Sequence, residues 1–310
     1  MSQKKIPTTI ISGSLGAGKT TIIRNLVKQL PDDYKTIWLK NEYGDVNIDS
    51  ELLKAKNIAA KEILNGCLCC VLVGKLHEAL IEIADTIDVD RIIIETAGTA
   101  YPFPVITQVK RVAKLEFDGL VTVVDALNYE AFRDNSVMAK EQAEYVDLII
   151  LNKISLVNEK QLEKALDYVH DLYPGVPIIK TASGNIHKDA ILGIDPKLVN
   201  YKENLDYDNH ESHHEHADSV QAFGFTDSNN IYSQQAIDDL LEKISAWGFI
   251  RIKGIIKTDT GYKLLNTVFS RTTWQDLPDY NKETRIAFMS KNALAYQQKV
   301  AELFKQTILR

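Results

Sequence analysis

Cysteine is nearly missing from this chain of 310 residues: its only three stand in one tetrapeptide, Cys67-Leu68-Cys69-Cys70. A long-range disulfide framework is thereby excluded, and a reducing compartment with thiolate chemistry is the natural setting. Long apolar runs are also missing, none approaching the roughly 18 residues of a membrane span. Residues 1–7 are polar, with two lysines, and lack the apolar core of a secretory signal. Positive charge is in deficit, 36 lysines and arginines against 42 aspartates and glutamates, a net −6. Such a balance argues against a polyanion-binding surface. These absences together predict a cytoplasmic protein with neither membrane nor nucleic acid among its partners.

What is present is a phosphate-loop signature, Gly13-Ser14-Leu15-Gly16-Ala17-Gly18-Lys19-Thr20. Residues 8–12 before it are short, β-branched and apolar, as in a buried strand. Residues 21–30 after it have helical spacing (Ile22, Ile23, Leu26, Val27, Leu30) and stop before Pro31. In that order, backbone N–H groups of the loop and helix N-terminus converge on phosphate oxygens, and Lys19 adds a mobile cation near the β and γ phosphates. Thr20 offers its hydroxyl to Mg²⁺, and Thr21 follows it on the first helical turn.

Apolar runs at residues 36–40, 91–95, 120–125, 148–152 and 177–181 alternate with helical stretches such as 75–85 and 159–173. They lack polar alternation, as parallel strands covered on both faces do. The expected fold is α/β, a doubly wound, mostly parallel sheet whose ligand sits beyond the C-terminal strand ends. Composition shifts at residues 201–218, where Lys202 is the one basic residue among six acids and four histidines. This acidic, histidine-rich stretch reads as a linker between a nucleotide-binding domain at 1–200 and a smaller α+β domain at 219–310. In the latter, strands are expected at 220–225, 249–257 and 262–269 and helices at 233–246 and 290–307. Arg251 and Lys253 alternate with Ile250 and Ile252, predicting a sheet with one solvated face.

With these motifs the chain resembles the CobW-type P-loop GTPases, a metallochaperone group within the class that contains urease and hydrogenase nickel-insertion GTPases. The resemblance rests on the phosphate loop, Asn41-Glu42-Tyr43-Gly44 with Asp49, Asn65-Gly66-Cys67-Leu68-Cys69-Cys70, Glu95-Thr96-Ala97-Gly98, Asn152-Lys153, the histidine-rich linker and Arg251-Ile252-Lys253-Gly254. It implies a P-loop NTPase domain and a CobW-type C-terminal domain that selects a client metalloprotein. It also implies a first switch across residues 41–49, where Asp45 or Asp49 stands near magnesium or the attacking water. Under the same resemblance Glu95, ending an apolar strand, would reach the magnesium shell, and Gly98 would give a backbone N–H to the γ phosphate. Asn152 and Lys153 would meet the base, with Thr181-Ala182-Ser183-Gly184 as the last base-contacting loop. A nucleotide-dependent homodimer is a further expectation.

Three soft thiolates suit Zn²⁺ or Cu(I), and zinc wants four tetrahedral ligands. Cys67, Cys69 and Cys70 supply three of them once a turn at Gly66 and the next helix start bring them together. That helix N-terminus would favour thiolate over thiol. The fourth ligand is left to water, to Glu42 or to a client residue, and Glu42 would tie metal affinity to the switch. His210, His213, His214 and His216 suit loose, exchangeable metal capture. The expected cofactors are therefore GTP, Mg²⁺ and Zn²⁺, with cobalt and nickel as alternatives to zinc, and a nucleotide-responsive sensor or store as the alternative to delivery.

One departure concerns the base. Guanine-specific relatives carry Asn-Lys-x-Asp, whereas this chain reads Asn152-Lys153-Ile154-Ser155. Loss of charge-assisted bonds, about 1.5–3 kcal/mol each, weakens guanine preference and leaves ATP open beside GTP.

Overall fold

The structure is a computed structural model, and it describes residues 5–40, 58–62, 70–96, 102–130, 145–192, 221–268, 271–277, 283–290 and 293–309. The chain divides into two compact units that part between Leu192 and Gly193.

The first unit is a seven-stranded sheet. Its elements run β1 (Ile6–Gly13), α1 (Lys19–Lys28), β2 (Thr36–Lys40), β3 (Ile58–Glu62), α2 (Cys70–Thr86), β4 (Arg91–Glu95), α3 (Pro102–Arg111), β5 (Leu115–Asp125), β6 (Leu148–Asn152), α4 (Glu159–Leu172), β7 (Ile178–Thr181) and the single helical turn α5 (Lys188–Ile191). Strand order is β3-β2-β4-β1-β5-β6-β7, and every pairing is parallel. The continuous apolar runs have their cause here. Ile10, Ile92, Ile94, Leu39 and Ile149 meet Leu76 and Leu80 of α2, Val105 and Val109 of α3, and Val169 of α4 in one core. The residues that alternate with them, Ile11, Ile93 and Trp38, are buried on the opposite face, the side of α1 with its buried Ile22, Ile23 and Leu26. An ion pair links β4 to β5 across β1, Arg91 Nη1 to Asp118 Oδ2 at 2.7 Å, with both side chains at most 3% exposed. Thr9 Oγ1 also donates to Asp118 (3.0 Å), and Tyr34 accepts from Arg91 Nε.

The second unit is a five-stranded antiparallel sheet of order β11-β10-β9-β12-β8. It comprises β8 (Gln221–Asp227), β9 (Phe249–Thr258), β10 (Gly261–Val268), β11 (Arg271–Asp276) and β12 (Thr284–Ser290), with helices α6 (Gln234–Ser245) and α7 (Ala293–Lys305). Ile237 and Ile244 of α6 and Val300 and Phe304 of α7 pack on Phe223, Ile252, Leu265 and Phe288 of the sheet.

The single solvated face expected from Arg251 and Lys253 is not found. Arg251 is 2% exposed and Lys253 5%, as buried as Ile252 between them. In the register, Arg251 lies beside Met289, and Lys253 beside Ala287 and Asn266. Met289 and Ala287, like Ile255 two residues along β9, are buried and apolar. That face is thus mainly apolar once cross-strand neighbours are counted, and one strand's alternation could not reveal it. The helix expected from residue 290 begins at Ala293, because Ser290 is the last residue of a strand. Among the described residues no helix is long and apolar enough to cross a membrane.

Candidate functional site

Because the sheet is parallel, the C-terminal ends of its strands share one rim. Chain order reverses about β1, so the crevice for a ligand opens there. Ile11 is level with Glu95, Gly13 with Val123, Asp125 with Asn152, and Asn152 with Thr181. Five strand ends therefore deliver Gly13, Glu95, Asp125, Asn152 and Thr181 to the same edge.

The phosphate loop leaves β1 at Gly13 and enters α1 at Lys19. Gly18, the residue before the helix, is left-handed (φ 101°), provides no side-chain cap, and no acid occupies the first turn. The helix N-terminus thus keeps its N–H groups and positive end for an external anion. Lys19, 4% exposed, folds back over the loop and donates from Nζ to the carbonyls of Gly13 (2.9 Å) and Ser14 (3.0 Å). A fixed positive charge thereby sits inside the loop. One residue on, Thr20 Oγ1 donates to Glu95 Oε1 at 2.7 Å, and Glu95 is itself 1% exposed. A hydroxyl and a buried carboxylate side by side are hard oxygen donors of the kind Mg²⁺ takes, so the residues present fit that ion.

On the other side of β1, Asn152 Nδ2 donates to Ala17 O (2.9 Å), joining the end of β6 to the phosphate loop. Its Oδ1 is buried and has no hydrogen-bond partner among the described residues. Lys153 takes a left-handed conformation (φ 64°) and its Nζ reaches Asp125 Oδ2 at 2.7 Å. Asp125 also accepts from the N–H of Leu127 (2.9 Å) and the side chain of Asn128 (3.1 Å). Burial by itself would raise the Asp125 pKa, but these bonds outweigh it and hold the carboxyl below its usual range. Lys153 is thus pinned by an ionised partner. Ser155 lies in a 3₁₀ turn, Ile154–Leu156, and is exposed. At the end of β7, Thr181 Oγ1 accepts from Gly184 N (3.1 Å), closing the Thr181–Gly184 turn.

The structure thus brings together Gly13 to Thr20, Glu95, Asn152 and Lys153. Cys70 opens α2. Asn41, Glu42, Asp45, Asp49, Cys67, Cys69, Gly98, His210, His213, His214 and His216 lie outside the described residues, and among the described ones no group of three or more histidines, cysteines or acids could hold a metal. Asp125 is the site residue that the sequence reading missed. Its signal was an apolar strand ending in an acid at the same rim as Asn152.

The family described as CobW/HypB/UreG, nucleotide-binding domain, matches residues 7–180. Among curated relatives, the zinc chaperone YjiA of Escherichia coli is 30% identical over 190 residues, 58% of this chain and 59% of that protein. The zinc chaperone CobW of Sinorhizobium is 32% identical over 247 residues, 69% of this chain and 68% of that protein. The zinc-regulated GTPase metalloprotein activator 1 of Dictyostelium discoideum is 26% identical over 232 residues, 61% of this chain and 48% of that one. This chain therefore spans only about half to two thirds of the length of these relatives. A solved structure of Zn(II)-bound YjiA GTPase from E. coli aligns over 98% of this chain and 99% of that one, at 20% identity and a TM-score of 0.45.

Proposed function

We propose, for a chain that belongs to the CobW/HypB/UreG nucleotide-binding family, that it is a cytoplasmic metal-binding GTPase coupling GTP binding and hydrolysis to the delivery of zinc to a client metalloprotein. The observation that supports this most is the convergence of Lys19, Thr20 and Glu95 at one uncapped helix N-terminus. Lys19 neutralises charge on the β and γ phosphates, and the α1 N–H groups orient them. Thr20 and Glu95 would hold Mg²⁺, which when bound neutralises phosphate charge. Asp45 or Asp49 of the first switch would position the attacking water. Intrinsic turnover in such sites is slow, about 10⁻⁴–10⁻² per second, until a partner or second copy completes them.

The cargo is zinc, the metal in the names of the curated relatives. Cys67, Cys69 and Cys70 directly precede or open α2, and the positive end of that helix favours their thiolates. Three thiolates leave one tetrahedral position for Glu42, water or the client, and an open position is what release requires. The histidines of the linker would collect metal, and the second unit would choose the client.

Steady-state phosphate release with Mg²⁺ and GTP tests this reading. Lys19→Ala, Thr20→Ala and Glu95→Gln should each lower kcat at least about tenfold, the loss of one charge-assisted contact to the phosphates or the ion. Unchanged turnover in Thr20→Ala and Glu95→Gln would contradict it. Ser155, exposed where relatives that select guanine carry an acid, favours a second reading in which ATP is hydrolysed too, so the same assay is run with both nucleotides.

A further inference from the structure

Helix α1 carries the phosphate site at its N-terminus, and farther along it also grips a loop from the other end of the domain. Ile22, Asn25 and Gln29 are spaced i, i+3 and i+7, so they form one stripe on the helix surface. Along that stripe, Asn25 Nδ2 donates to Gly184 O at 3.1 Å. Gln29 Nε2 donates to Ile186 O at 2.9 Å, and Gln29 Oε1 accepts from Lys188 N at 2.8 Å. Gln29 Nε2 is steadied in turn by Asn25 O at 3.0 Å. Gly184 sits so close to the helix that a Cβ there would lie 3.0 Å from Ile22 Cγ1, and its φ of +73° already disfavours any side chain. Three side-chain bonds to backbone and one tight apolar contact thus fix residues 184–188, more than 150 positions along the chain, along α1 from Ile22 to its C-cap Gln29.

We propose that Asn25 and Gln29 are positioning residues for nucleotide base selection. The proposal rests on the reading of residues 181–184 as a base-contacting loop. With an uncharged, exposed Ser155 in place of an acid, discrimination passes to the backbone N–H groups of Ala182 and Ser183, both exposed residues at the crest of that loop. A rigid N–H donor accepts guanine, whose O6 is an acceptor, and rejects adenine, whose N6 is a donor. A mobile loop would present the same N–H groups without the placement that makes the difference, so selectivity depends on the latch. Phosphates and base are then read from the same helix, its N-terminus holding the first and its side chains holding the loop that meets the second.

The test is equilibrium binding of GTP, ATP and inorganic triphosphate, each with Mg²⁺, to the full chain and to Asn25→Ala, Gln29→Ala, the double variant and Ser155→Asp. The double variant is expected to lose GTP affinity and guanine-over-adenine preference by about tenfold, the worth of one well-placed hydrogen bond to the base. Inorganic triphosphate, which has no base, should bind as before, and that result also reports that the phosphate loop is intact. Gln29→Glu keeps an acceptor for Lys188 N but sets a carboxylate oxygen against the carbonyls of Ile186 and Asn25, so it should lose at least as much preference as Gln29→Ala. Equal losses for GTP and triphosphate would overturn the proposal, since the latch would then be supporting the helix alone. Ser155→Asp separates the two layers. If it sharpens guanine preference while the latch variants leave the preference untouched, the base pocket stands and the latch falls; if no variant alters the ratio, both fall.

Discussion

Substituting Gly18 with alanine should expose the tie between the phosphate loop and the base-side strand. Gly18 has φ +101°, and a Cβ there would lie 2.4 Å from Asn152 Nδ2. Alanine in a left-handed conformation costs about 1–2 kcal/mol. The clash is relieved only if Asn152 swings away, which breaks its 2.9 Å bond to Ala17 O and costs about another 1–2 kcal/mol. The total is about 2–4 kcal/mol. Gly16 is the control: it too is left-handed (φ +77°), but nothing lies within 4 Å of an added Cβ. Gly16→Ala should therefore cost only about 1–2 kcal/mol. In an Asn152→Ala background the clash is gone, so Gly18→Ala should fall to the Gly16 value, a coupling of about 1–2 kcal/mol in a double-mutant cycle. The assay is nucleotide-free urea unfolding in a Trp247→Phe/Trp274→Phe background, in which buried Trp38 of β2 reports on the first unit. Equal costs for the two glycines, or additivity with Asn152→Ala, would refute the reasoning.

Other perturbations follow from single contacts. Asp118→Asn strips the charge partner from fully buried Arg91 and should cost about 3–5 kcal/mol in urea unfolding, whereas removing exposed Lys35, paired with Asp88, should cost under about 1 kcal/mol. Asp125→Asn unpins Lys153 and should weaken GTP binding roughly three- to tenfold, with inorganic triphosphate unaffected. Asp227 titrates at about 2, because bonds from the Tyr232 hydroxyl, Asn230 and two backbone N–H groups outweigh the opposing effect of burial. Its folded pKa is below the ordinary value of about 3.9, so its stabilisation is present above about pH 4 and lost as pH falls toward 2. Acid unfolding of the second unit should show that slope, and Asp227→Asn should flatten it.

Elements were legible where local chemistry decided them. The strands of the parallel core announced themselves as unbroken apolar runs because helices cover both faces. Ile58–Glu62 did not, since Ile-Ala-Ala-Lys-Glu is built largely of helix formers and becomes a strand only by pairing with β2. Arg271–Asp276 is an edge strand rich in polar residues, and edges carry little hydrophobic signal. Pro102–Arg111 has prolines at its first and third positions, tolerated because first-turn N–H groups have no helical partner. At the site, the phosphate loop, Glu95, Asn152 and Lys153 were legible as motifs at strand ends. Asn25 and Gln29 were not, because on an amphipathic helix they resemble solvent-facing residues and their partners lie more than 150 positions away. Asp125 was legible as a strand terminus, but its link to Lys153 was not, because that contact is made only across neighbouring strands.

Under the proposed function, nucleotide state governs metal affinity. The measurement that reaches it most directly is zinc affinity by chelator competition, with Mg²⁺ and a non-hydrolysable GTP analogue, the matching ATP analogue, or GDP. A shift of at least about tenfold, about 1.4 kcal/mol of coupling, is expected between the GTP analogue and GDP, with loss of that shift in Glu42→Gln if Glu42 is the switch-borne ligand. Equal zinc affinity in all three nucleotide states would contradict it.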